Sequence, residues 1–181
     1  MVELIFETHS TSTDNEQDIA SGCSDPKLSA AGERQAQELG ERYRDVKLVA
    51  VYCSALRRSY ETGYLAFEGS NVPLLTDARL NECDYGTMTR FSSVVIEHEK
   101  MNRIERPFPG GQSYLETTEN VKAFLKDVVL RHQDKTILVI GHRATQYGLE
   151  QVLNHKSLAK VVAAPFRWQP GWHYEVPEFV N

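Results

Sequence analysis

Cysteine is scarce in this chain: three residues in 181, at positions 23, 53 and 83. The number is odd and the spacing is neither that of a CxxC motif nor that of a zinc site, so free thiols are expected rather than a disulfide framework. Long apolar runs are missing, and no stretch approaches the length that spans a bilayer. An excess of basic residues is missing too. Twenty Lys and Arg against 25 Asp and Glu leave a net charge of −5. The two signs are interleaved along the chain, which argues against a nucleic-acid partner. Repeats, low-complexity tracts and Pro/Gly-rich linkers are absent, so residues 1–181 are expected to form one domain. The opening Met-Val-Glu-Leu-Ile-Phe-Glu reads as a first strand without a basic leader, and the expected location is cytoplasmic, away from any membrane.

What is present is a pair of short apolar strands, each running into a histidine. Leu4-Ile5-Phe6 leads to His9, and Ile137-Leu138-Val139-Ile140 leads through Gly141 to His142. In an open α/β sheet the carboxyl ends of the strands face the ligand site, because helix N-termini with unpaired N–H groups converge there. Two imidazoles delivered to that edge imply one shared site.

The remaining pattern alternates strand and helix. Val2–Phe6 reads as a strand, and Ser29 caps a helix reaching Tyr43 with Ala36, Leu39 and Tyr43 inward. Leu48–Tyr52 reads as a second strand, followed by a helix capped by Ser54 with an apolar stripe of Leu56, Tyr60, Gly63 and Phe67. Thr76–Glu82 leads into a long polar stretch, residues 84–111, which reads as a short lid ending in Pro109-Gly110-Gly111. Ser113 and Glu116 form a capping box for a helix burying Val121, Leu125 and Val128. A buried strand from Thr136 to Ile140, a helix from Ala144 to Leu153, and a final strand from His173 to Val176 complete the chain. Trp168 and Trp172 read as packing residues. The fold class is a three-layer α/β/α sandwich around a mostly parallel sheet.

Chemistry gathers at the strand ends. His9 is followed by Ser10, Thr11, Ser12, Thr13, Asp14 and Asn15, small donors suited to wrapping an anion. Arg58 lies in the first turn of its helix, where the macrodipole disfavours a cation and an anionic partner would compensate. Glu82 precedes a loop that presents it to the same edge. A nucleophilic imidazole, a guanidinium, a second imidazole and a carboxylic acid are the parts needed for in-line phosphoryl transfer.

These residues stand in motifs that resemble the histidine phosphatase superfamily, in the branch that includes cofactor-dependent phosphoglycerate mutase. The family opens Arg-His-Gly-Glu-Thr-x-x-Asn; here the segment reads Thr8-His9-Ser10-Thr11-Ser12-Thr13-Asp14-Asn15. The run from Gly22 through Leu28-Ser29 and Gly32 to Gln35-Ala36 is similar to G-x-x-D-x-x-L-[ST]-x-x-G-x-x-Q-A. Ser54-Ala55-Leu56-Arg57-Arg58-Ser59-Tyr60-Glu61-Thr62-Gly63 resembles S-x-L-x-R-[AS]-x-x-T-[AG]. Leu80 to Gly86, Pro109-Gly110-Gly111-Gln112-Ser113 and Gly141-His142 are similar to the proton-donor segment, the P-G-G-E-S turn and the second histidine.

The resemblance implies a phosphoglycerate mutase-like fold and a ping-pong transfer. His9 becomes phosphohistidine, Arg58, His142 and Asn15 hold the equatorial oxygens, and Glu82 protonates the leaving oxygen. No metal and no cofactor are implied; the partner is a small phosphorylated substrate, and a homodimer is compatible with it. Thr8 stands where the family has a clamping arginine, and its hydroxyl supplies neither that charge nor that fork. The reading is hydrolysis of a small phosphomonoester at reduced rate, with Thr8 and Ser10 at the phosphate and Arg143 as a candidate replacement clamp. The alternatives are mutase-type transfer and an inactive phosphoester-binding domain.

Overall fold

The computed structural model describes residues 1–178. Five strands, β1 (Val2–Thr8), β2 (Leu48–Cys53), β3 (Leu74–Thr76), β4 (Thr136–Gly141) and β5 (Trp172–Val176), form one sheet. Their order is β3-β2-β4-β1-β5, with β1, β2, β3 and β4 parallel and β5 antiparallel against β1. The helices are α1 (Ala30–Tyr43), α2 (Arg57–Phe67), α3 (Ser93–Glu99), α4 (Tyr114–Arg131), α5 (Arg143–Asn154) and α6 (Leu158–Ala163). Among the described residues no helix is long and apolar enough to cross a membrane.

Strand alternation splits the core into two layers. Ile5, Val51, Leu138 and Ile140 meet Leu39 and Tyr43 of α1, with Ala66 and Phe67 of α2 behind them. Leu4, Phe6, Ala50 and Val139 meet Val121, Phe124, Leu125 and Val128 of α4 and Leu149 of α5. The three-layer arrangement follows from these two faces. The caps of α1 and α4 form as their sequences require: Ser29 Oγ accepts the Gly32 N–H, and Ser113 and Glu116 bond each other's backbone.

Glycine at position 40 has a packing reason, because a Cβ there would lie 2.1 Å from the Ala66 carbonyl oxygen of α2. Backbone on backbone cannot yield, so Gly40→Ala is expected to cost about 1–3 kcal/mol despite the better helix propensity of alanine. A urea midpoint measurement checks it; an unchanged or raised midpoint would contradict this packing.

Several sequence expectations are corrected. Ser54 does not cap α2; the N-cap position is Leu56, and no side chain caps it. The Ser54 hydroxyl is instead drawn to His142. The buried face of α2 is Arg58, Ser59, Thr62 and Gly63, while Tyr60, placed inward by apolar periodicity, is 42% exposed and stacks on Tyr64. Leu56, Gly63 and Phe67 of the stripe do face inward, and the polar Arg58, Ser59 and Thr62 share that face in place of Tyr60. β3 and α6 were not anticipated, since three residues and six give too short a pattern. Segment 84–111 is less open than its polarity suggested. It contains α3 and packs Tyr85, Ile96 and Phe108 against Tyr114, Tyr147, Leu158 and Val162. Of the lid cations, Arg90, Lys100 and Arg103 pair with Asp14, Glu97 and Glu99, and Arg106 is exposed.

Candidate active site

The parallel pairing of β1 with β4 sets Thr8 opposite Gly141, so the residues that follow, His9 and His142, leave the sheet side by side. A hydrogen bond from the His9 backbone N–H to the Gly141 carbonyl (2.9 Å) fixes this junction. The two imidazole centroids are 4.9 Å apart. β2, the other neighbour of β4, leads into α2 and carries Arg58 to the same edge.

His9 Nδ1 lies 2.7 Å from the Ser10 carbonyl oxygen. That acceptor requires a proton on Nδ1, which leaves Nε2 unprotonated with its lone pair available. Burial lowers the ring pKa to about 3, helped by the Arg58 charge and opposed by the Ser10 carbonyl. The imidazole is therefore neutral and nucleophilic through the ordinary pH range. Arg58, 2% exposed, donates from Nε toward His9 Nε2 (3.3 Å), from Nη1 to the Ser24 carbonyl (2.8 Å) and from Nη2 to the Gly22 carbonyl (2.8 Å). Three of its five N–H donors are tethered, and two remain for an anion.

His142 is also held neutral: burial pushes its pKa well below the usual value, with Arg58 and His9 adding to the effect. Its Nε2 meets Ser54 Oγ at 2.7 Å, while its buried Nδ1 has no hydrogen-bond partner among the described residues. Glu82 Oε1 accepts from the backbone N–H of Cys83 (2.8 Å) and of Ala144 in the first turn of α5 (3.3 Å). Burial nonetheless outweighs these bonds and the charges of Arg58 and Arg143, and raises the carboxyl pKa. A neutral nucleophile and a carboxyl shifted toward its protonated form thus occupy one site.

His9, Arg58, Glu82 and His142 line a single cavity of about 620 Å³, together with Thr8, Ser10, Asn15 and Arg143. The structure treats the last four differently. The Ser10 N–H is donated to Thr62 Oγ1 (3.0 Å), so the start of the loop is anchored to α2. Asn15 turns its amide oxygen back onto the Ser12 N–H and hydroxyl, both at 2.9 Å. Thr8 ends β1 with its short side chain in the cavity wall. Arg143 departs from the clamp position anticipated for it: Nη1 is held by Glu97 of α3 at 2.8 Å, with the guanidinium against the rings of Phe166 and Tyr147. An acidic neighbour from the lid, invisible in local sequence, captures it.

Sequence reasoning missed Ser54 and Thr62, which orient His142 and Ser10, and the far wall formed by Glu7, Arg42, Phe166 and Trp168. Trp168, expected to pack, is 58% exposed. Glu7 carried a signal: an acid two residues before His9 at the end of an apolar strand must face the same side as His9.

The family model of the histidine phosphatase superfamily (branch 1) matches residues 4–161. Phosphoserine phosphatase 1 of Hydrogenobacter thermophilus is 32% identical over 153 residues, covering 78% of this chain and 71% of that protein. A probable phosphoglycerate mutase GpmB of Salmonella choleraesuis is 27% identical over 150 residues, covering 78% and 70%. Among solved structures, Bacillus stearothermophilus YhfR superposes with a TM-score of 0.86 at 20% identity, covering 100% of this chain and 98% of that one. Mycobacterial glucosyl-3-phosphoglycerate phosphatase superposes with a TM-score of 0.80 at 20% identity, covering 90% and 87%. The structural likenesses establish the phosphoglycerate mutase-like fold. With the family model spanning most of the sequence and a relative at 32% identity, the chain belongs to branch 1 of the histidine phosphatase superfamily.

Proposed function

We propose that the protein is a metal-independent phosphatase of small phosphomonoesters, acting through a phosphohistidine at His9. The observation that carries this reading is a neutral His9 with its proton on Nδ1 and its Nε2 facing the Arg58 Nε–H, beside His142 and a carboxyl whose pKa burial has raised. His9 Nε2 attacks phosphorus in line, the phosphorus–oxygen bond breaks toward the leaving oxygen, and Glu82 gives that oxygen its proton. The Glu82 carboxylate then takes a proton from water, whose oxygen attacks phosphorus and returns the electron pair to Nε2. The two free donors of Arg58 and the unpartnered ring nitrogen of His142 offer hydrogen bonds to phosphoryl oxygens as charge develops. The relatives named as phosphatases support the same chemistry.

Hydrolysis is preferred to mutase transfer because Arg90, Lys100 and Arg103 of the lid are already paired, leaving them poorly placed to retain a short acidic intermediate. The test is turnover of p-nitrophenyl phosphate in buffer containing EDTA. Release of p-nitrophenol supports the reading, and dependence on an added divalent ion contradicts it.

The pH profile follows from the two shifts. The His9 pKa is lowered to about 3, so the nucleophile stays unprotonated far below pH 6.5 and the acid limb of kcat/KM is displaced downward. Glu82 is raised, so its proton is present at acidic pH and lost on the alkaline side. A bell with an acidic-to-neutral optimum is expected; a maximum in the alkaline range would contradict the assignment.

Thr8 bears on the rate. A missing charged transition-state donor costs about 10²–10³-fold, so Thr8→Arg is expected to raise kcat/KM by about that factor, as Arg143 is engaged by Glu97. Kinetics of the purified variant check it. An unchanged rate would mean that the clamp has been rebuilt elsewhere; no turnover in either protein would favour phosphoester binding.

A further inference from the structure

The cavity does not end at the phosphoryl site. Beyond Thr8 its wall continues through Glu7, Gln35, Arg42 and Trp168, none of which the hydrolytic steps use. Glu7 is 1% exposed, and its Oε1 accepts from Arg42 Nε (3.2 Å) and from the Tyr43 hydroxyl (2.8 Å). The Arg42 guanidinium lies 5.9 Å from the Trp168 ring centroid. Among the described residues its two Nη groups donate to no protein atom, though the side chain is one-third exposed. A buried carboxylate thus fixes an arginine by its Nε and leaves the fork free in a cavity wall, the form that binds carboxylate or phosphate in a bidentate manner. Position 42 is in the last turn of α1, where the helix dipole favours a cation.

We propose that Arg42 is the seat for a second anionic group carried at the far end of the substrate's leaving group. This rests on the hydrolytic reading of the His9 site and extends it to a substrate class. Glu7 and His9 are two residues apart on the same face of β1, so their Cα atoms are about 7 Å apart. With the reach of Arg42 beyond Glu7, the second anion lies about 7–10 Å from phosphorus. The substrate is a phosphomonoester with a spacer of about four to six atoms between its ester oxygen and a distal carboxylate or phosphate. Trp168, in the same wall, flanks the spacer. Glu38, exposed on α1 and also in the wall, opposes the anion and limits its affinity.

The experiment compares ω-carboxyalkyl phosphates of increasing length with ω-hydroxyalkyl phosphates of equal length and with the corresponding bisphosphates, using p-nitrophenyl phosphate as reference. The wild type is expected to prefer the anionic series by about tenfold in kcat/KM at the longer spacers and to show no preference at the shortest. Arg42→Gln should remove that preference, and Glu38→Gln, a surface change that leaves the Glu7 network intact, should enlarge it. The carboxylate and bisphosphate arms tell which anion fits. No preference at any length, or one that survives in Arg42→Gln, overturns the proposal. Calorimetric titration of the same compounds into the His9→Ala protein separates the two readings. If turnover is absent but the binding preference is present, hydrolysis fails and the seat stands; if p-nitrophenyl phosphate is hydrolysed and no preference exists, the seat alone fails.

Discussion

His9→Ala is expected to lower kcat/KM for every phosphomonoester by on the order of 10⁵-fold or more, the scale seen when a covalent nucleophile is removed from a preorganised site. Among the described residues the side chain hydrogen-bonds to the Ser10 carbonyl and Arg58 and lies against the His142 ring, and the backbone bond from His9 to Gly141 does not involve it. The fold should survive, with a stability change of about 1 kcal/mol. Removing the imidazole leaves Arg58, His142 and Glu82 in place, so ground-state phosphate binding persists while turnover disappears. Steady-state assays beside a thermal melt check both halves. Turnover near the wild-type rate in a clean preparation would rule out covalent catalysis through this residue.

Glu82→Gln is the second large effect, and its signature is dependence on the leaving group. The amide oxygen of glutamine can still accept from the backbone N–H groups of Cys83 and Ala144, which Glu82 Oε1 now occupies, so the local structure is retained. The proton for the leaving oxygen is lost. For alkyl phosphates, whose alkoxide leaves poorly, kcat/KM should fall by about 10²–10⁴-fold. For p-nitrophenyl phosphate, whose phenolate leaves without help, kcat/KM should change little. Because Glu82 also activates water, this variant should show a burst of p-nitrophenol followed by slow turnover. The alkaline limb of the pH profile should vanish with the carboxyl group. An equal loss for both leaving groups would contradict the acid role and assign Glu82 to binding.

Much of the fold could be read from the sequence because its signals are local. The apolar runs of β1, β2 and β4, the Ser29 cap and the Ser113–Glu116 box each act within a few residues. Adjacency of His9 and His142 follows from the expectation that both end parallel strands, although the 132 residues between them carry no trace of the register. The failures are non-local. Ser54 stands where a cap would stand, but His142, 88 residues away, takes its hydroxyl. Arg143 follows a histidine at a helix start, and nothing nearby shows that Glu97 lies across the cavity to capture it. Tyr60 fits an apolar helical stripe, yet the sheet-facing side of α2 is set by Arg58 and Thr62, which must reach His9 and Ser10. Arg42 carries no local signal in the sequence, and its contact with buried Glu7 makes it distinctive.

The central claim, a phosphoryl group carried on His9, is tested most directly by mixing the wild-type protein with p-nitrophenyl phosphate and quenching in alkali. Proteolysis and mass spectrometry then locate any adduct. The account predicts one phosphoryl group on the peptide containing His9, stable to base, lost in acid, and absent from His9→Ala. Turnover with no adduct under the same quench, or an acid-stable phosphate on a serine or threonine of the Ser10–Thr13 loop, would contradict it.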